Sequence, residues 1–202
     1  MNTLIITETA LANMIIKVAR EFVGMKEVGK NPNAKWDKPT TPDPDTELNA
    51  RLIALMRPAP WQEGWAHCAA FAEGMVCEAL RRCGASEDQI RGFSRVHTPG
   101  VMRNVNELNQ RKLLSTTPSM AALWLAQHGT SALGHEGIVT VPVISPGRMG
   151  TIESNTSAGP AQTAEGDREG DWITEKTRAH NTNGKLRTRG FLSVASILKL
   201  IS

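Results

Sequence analysis

Tyrosine is absent from this chain of 202 residues, and aromatic side chains make up only 4% of it. Stacking platforms for bases are therefore scarce. No concentrated Lys/Arg run replaces them, and the net charge of +3 is mild. Such a balance suits work near an anionic polymer but argues against nucleic acid as the partner. Long apolar runs are missing as well. The first residues, MNTLIITETALANMIIKVAREF, lack a basic start and are broken by Glu8, Lys17 and Arg20, so they do not read as a signal peptide. No segment approaches membrane-spanning length. The expectation is a protein made in the cytoplasm that leaves, if at all, by a route needing no cleavable signal.

Cysteine is sparse too. The three cysteines stand at 68, 77 and 83, two of them within one expected helix, six residues apart and on different faces, which suits reduced thiols better than a disulfide framework. Neither Cys-x-x-Cys nor His-Glu-x-x-His occurs, so no metal and no cofactor is expected.

What remains is an ordinary globular composition, 40% hydrophobic and 21% charged, of a length for one substantial domain spanning residues 1–202. Residues 8–23 read as an amphipathic helix with Leu11, Ile15, Val18 and Phe22 as its stripe, Thr7 or Thr9 as cap and Gly24 as stop. Residues 29–46 are rich in Pro, Asn and Asp and read as an irregular loop. A short helix is expected from Glu47 to Met56, and one or two more over 86–112. The segment 119–127 fits helix or buried strand; its place ahead of a β-rich half favours strand. From His135 to Val141 the residues are β-branched, with Pro142 closing the strand, and Met149 to Asn155 returns. Asn181-Thr182-Asn183-Gly184 between Asp171–Arg178 and Lys185–Phe191 is a hairpin signal, and Ser193 to Ile201 closes as a helix. Helices precede strands, so the fold class is α+β with N-terminal helices packed on a C-terminal antiparallel sheet.

The chain is organised around Pro60 to Gly84. A polar loop bearing Trp61, Gln62 and Trp65 ends at His67-Cys68, and Cys68 opens an apolar helix whose positions 69, 72, 76, 79 and 83 share a face. A thiol there meets free backbone N–H groups and the positive end of the helix dipole, the setting of a nucleophile. It needs a base and a group to orient that base. Of five histidines, His67 adjoins the thiol and points elsewhere, and His97, His128 and His180 fall in loops or element ends. Only His135 opens a strand with an apolar continuation. On the returning strand Glu153 and Asn155 are two apart and share a face, so either can bond the far ring nitrogen and fix its tautomer.

Each residue alone has an ordinary reading: a buried small hydrophobe, a satisfied histidine, a solvated strand end. Their joint order is what points to catalysis. Gln62, six residues before Cys68, is placed to add an oxyanion donor, although loop glutamines are usually just solvated. Trp61 and Trp65 line a groove or pack on the helix, and Cys77 and Cys83 read as core.

Trp65-Ala66-His67-Cys68-Ala69-Ala70-Phe71, Gly134-His135-Glu136-Gly137-Ile138-Val139 and Ile152-Glu153-Ser154-Asn155-Thr156-Ser157 together resemble the CHAP and NlpC/P60 cysteine peptidoglycan hydrolases, closest to single-domain, phage-endolysin-like amidases. Val23 to Gly29 and the Gly170–Arg178 stretch with Gly190-Phe191 are similar too, while residues 30–60 and 85–130 match poorly. The resemblance implies a papain-like fold and a hydrolase, amidase or endopeptidase, acting on an amide of the wall peptide. Cys68 is then the nucleophile, His135 the base, Glu153 the orienting residue and Asn155 a supporting polar group. It also implies action on the cell wall after release or secretion, as a lysin or an antibacterial effector, with an immunity or delivery protein as possible partner. A papain-like hydrolase of another amide, or a binding protein on the same scaffold, are the alternatives. Two positions depart from the family pattern: His67 stands where tryptophan is usual, and Ser154 where glycine is common.

Overall fold

The computed structural model describes residues 6–28, 35–37, 46–57, 66–156 and 172–202. Helix α1 (Glu8–Arg20) starts where the Thr7 hydroxyl accepts from the Ala10 N–H at 3.2 Å, and its charges, Glu8 first and Lys17 and Arg20 last, suit the helix dipole. Leu11, Ile15, Val18 and Phe22 are fully buried. Gly24, at φ +90, turns the chain out of the helix, and its N–H donates to the Ile173 carbonyl at 2.9 Å.

Helix α2 (Thr46–Met56) and the central helix α3 (Cys68–Arg82) cross closely. A Cβ on Gly74 would lie 2.5 Å from the Leu55 carbonyl oxygen, so only glycine fits the crossing. Helix α3 is buried on every side from Cys68 to Cys77, as expected of a helix wedged between layers. It packs on α1, on α4 (Glu87–Ser94) and on the sheet, while α5 (Val101–Gln110) and α6 (Val194–Ile201) complete the helical layer.

The sheet contains β1 (Lys26–Val28), β2 (Lys35–Asp37), β3 (Leu114–Ser115), β4 (Leu123–His128), β5 (Gly134–Ser145), β6 (Arg148–Thr156), β7 (Trp172–Ala179) and β8 (Leu186–Leu192). Their order is β2-β1-β7-β6-β5-β4-β8-β3, and every neighbouring pair is antiparallel. Alternation assigns the faces. Leu123, Leu125, Ile138 and Ile152 join the helices in the main core, while Trp124, Val139, Met149 and Phe191 form a second cluster on the other face. Three strands separate β7 from β8, yet His180 after β7 meets the Phe191 ring at a centroid distance of 6.1 Å, and the Asn181 carbonyl accepts from the Thr188 N–H at 2.7 Å. The sheet therefore curls, enclosing the second cluster.

The α+β architecture agrees with the sequence reading; several local expectations do not. Residues 29–46 include strand β2, because β1 offers it a partner edge. Pro142 does not close β5, which runs on to Ser145; the β5–β6 register shifts on either side of Val141, and a missing N–H is tolerated at such an irregularity. Asn181–Gly184 does not join hairpin partners. The turn reverses the chain locally, but Phe191 and Leu192 pair with Trp124 and Leu123 on β4, and burying those side chains decides the strand order.

Candidate functional site

His135 sits at the start of β5, 6% exposed, and Glu153 on β6 is fully buried. Gly137 stands opposite Glu153 in the register, and a Cβ on it would meet Glu153 Cγ at 2.8 Å, so this glycine makes room for the carboxylate. Glu153 Oε2 and His135 Nε2 are 2.8 Å apart. The carboxylate also accepts from Thr151 Oγ1 at 2.5 Å and from Arg178 through Nε at 2.8 Å and Nη2 at 2.5 Å. Arg178, on β7, further reaches Thr156 Oγ1 at 3.2 Å. A fork of this kind is the strongest hydrogen-bonding partner a carboxylate finds in a protein.

Pairing of β5 with β6 stops at Gly137–Glu153, although β5 begins at Gly134 and β6 continues to Thr156. Asn155 lies in that unpaired end at φ 59, where the register of β6 with β7 also shifts. The regular alternation on which a shared face for Glu153 and Asn155 was expected is interrupted here by a left-handed residue at a register shift. Of the two, Glu153 is the residue that bonds His135. The N-terminus of α3 approaches the same opening: His67 Nδ1 lies 2.5 Å from the Ser154 Oγ, and Cys68, the next residue, lies near enough to act electrostatically on the His135 ring. With Nε2 engaged by Glu153, Nδ1 is the ring nitrogen that remains. The two positions that depart from the family pattern, His67 and Ser154, thus touch each other.

Burial works against a charge on His135, but the Cys68 and Glu153 interactions outweigh it and raise its pKa from 6.5 to about 10. Burial likewise works against the Glu153 charge, and Arg178 and His135 overcome it, holding the carboxyl well below the usual carboxylate range. At neutral pH that raised value favours the imidazolium, held against the Glu153 carboxylate. Beside it, α3 begins without a side-chain cap, unlike α1, α4 and α6, which Thr7, Ser86 and Ser193 cap. The N–H groups of its first turn remain for another acceptor. Burial pushes the Cys77 thiol up to about 12, and Cys77 is inert packing as expected. Cys83, read from the sequence as core, is only half-buried at the helix end, where the chain leaves the layer.

Trp61, Gln62 and Trp65 lie outside the described residues. Sequence reasoning missed Arg178 and Thr151. Thr151 was two residues before Glu153 and so on its face, whereas Arg178 depends on strand order, which no local pattern gives. It also missed a second buried set, His97 with Glu136 and Glu73. Among the described residues no cluster of metal-ligating side chains occurs, and no helix is long and apolar enough to cross a membrane. No family model, curated protein or solved structure matches the chain.

Proposed function

We propose that the chain is a papain-like cysteine hydrolase that cleaves an amide bond in the peptide of bacterial peptidoglycan. The observation that supports this reading is the approach of three elements to one point: Cys68 at the start of α3, His135 on β5 and Glu153 on β6, with the imidazole bonded to Glu153 and its charge favoured by Cys68 as well. In the mechanism the imidazolium of His135 pairs with the Cys68 thiolate, and sulfur attacks the carbonyl carbon of the scissile amide. The oxyanion accepts from N–H groups of the first turn of α3, that of Cys68 included. His135 then gives its proton to the leaving amine, leaving a thioester. It next takes a proton from water, whose oxygen attacks the thioester and releases the acid and the free thiol. Glu153, fixed by Arg178 and Thr151, holds the ring and its tautomer throughout.

The substrate class rests on the three-block resemblance, and with it a delivery or immunity protein as partner. Mass spectrometry of muropeptides tests it. Wild type should release fragments with new amine and carboxyl termini, and Cys68→Ala should release none. Fragments from Cys68→Ala would overturn the mechanism. No new termini with either protein would overturn the substrate, leaving another amide or a binding role.

A further inference from the structure

Behind the candidate site a second buried histidine stands between two carboxylates. His97, just after α4, is 1% exposed and stacks on the Phe93 ring at a centroid distance of 5.2 Å. Its Nε2 lies 2.7 Å from Glu136 Oε1, and its Nδ1 faces Glu73 Oε2 at 3.6 Å. Glu136 is fully buried and Glu73 is 1% exposed. Both Glu73 oxygens, Glu136 Oε2 and His97 Nδ1 lack a hydrogen-bond partner. Asn104 of α5 closes the set, its Nδ2 being 3.3 Å from His97 Nε2, and is itself anchored to Thr98 by bonds of 2.8 to 2.9 Å. The groups facing His97 are thus Glu73 from α3, Phe93 from α4, Asn104 from α5 and Glu136 from β5. Burial opposes a charge on His97, and the two carboxylates outweigh it, raising its pKa from 6.5 to about 10.

The placement of the two carboxylates is the informative part. Glu136 directly follows His135 and points to the opposite face of β5, while Glu73 lies five residues beyond Cys68 on α3. One buried cation therefore ties together the two elements that carry the thiol and the imidazole. An ionic set of this kind is a poor way to add stability, since apolar groups of similar volume usually serve as well or better. It supplies direction, which apolar packing does not. We propose that His97, Glu136 and Glu73 are positioning residues that lock α3 to β5 and so hold the Cys68 thiol against the His135 ring. This rests on the thiol–imidazole pair of the proposed function.

The test is the rate of Cys68 carboxamidomethylation by iodoacetamide between about pH 5 and pH 10, resolved from Cys77 and Cys83 by peptide mapping, beside near-ultraviolet dichroism and melting temperature. Wild type should react near pH 7. His97→Gln should keep a folded spectrum, react at about a tenth of the wild-type rate near pH 7, and show a profile moved about one pH unit upward. Glu136→Gln, which keeps an acceptor for His97, should lose less than Glu136→Ala. Should His97→Gln not fold, Glu73→Gln carries the test, because that carboxylate has no hydrogen bond to lose; its profile should move the same way by about threefold in rate. Profiles superimposing on wild type, with only the melting temperature lowered, would overturn the positioning role and leave the proposed function standing. A wild-type Cys68 that fails to react near pH 7 would overturn both before any variant is made.

Discussion

Glu153 has no solvent to fall back on, so Arg178, Thr151 and His135 all depend on its charge. Glu153→Gln keeps the size but leaves a mostly buried guanidinium without its counter-charge. Because the Arg178 side chain retains 26% exposure, the cost should fall at or below the lower end for a broken buried pair, about 2–3 kcal/mol in urea denaturation, with hydrolysis lowered more than tenfold, or about 1.4 kcal/mol of barrier. Asn155 separates the two readings that the sequence left open. Asn155→Gly suits φ 59 and should leave hydrolysis within about threefold of wild type. A loss as large as that of Glu153→Gln would make Asn155 the orienting group. Ser154→Gly restores the residue common in the family but strips His67 Nδ1 of its bond at a buried site. It should destabilise by about 1–3 kcal/mol, checked by thermal unfolding.

Most elements were legible through period or punctuation, although the helices over 86–112 have weak periodicity and 119–127 fits helix as well as the strand it forms. Thr7 and Ser193 cap the helices they precede, Gly24 ends α1, and the unbroken apolar run at the start of β4 suits a sheet with two covered faces. The candidate site was legible to the extent that its residues sit at element ends: Cys68 at a helix start, His135 at a strand start. Partners that arrive through strand order or through a bulge were not. Arg178 reaches Glu153 only because β7 lies beside β6, and no side-chain pattern announces the left-handed conformation of Asn155 that interrupts the alternation. Gly137→Ala puts a methyl against Glu153 Cγ, the middle of a side chain held at its far end. We expect about 1–3 kcal/mol of destabilisation and a disproportionate loss of hydrolysis, read as kcat against urea midpoint in the same preparation.

Taken as a whole, the molecule buries two histidines, His97 and His135, beside three glutamates, Glu73, Glu136 and Glu153, and the shifted groups among them set how its stability varies with pH. His97 and His135 hold their protons more tightly folded than unfolded, where histidine titrates near 6.5, so their contribution is complete below about pH 6.5 and is lost as pH rises toward about 10. Glu153 has the opposite sign: its contribution is complete above the ordinary carboxyl value of 4.5 and is lost as pH falls toward its lower folded value. Urea midpoints should therefore peak between about pH 4.5 and 6.5 and decline on both sides. A profile still rising above about pH 7 would mean that the histidines are neutral in the fold. The central claim, that Cys68 is activated by the histidine beside it, is tested most directly by intact mass after limited iodoacetamide treatment near pH 7, with peptide mapping of the modified cysteine. Wild type should carry one carboxamidomethyl group on Cys68, and His135→Ala should lose it. Labelling confined to the half-buried Cys83, or equal labelling of Cys68 with and without His135, would contradict it.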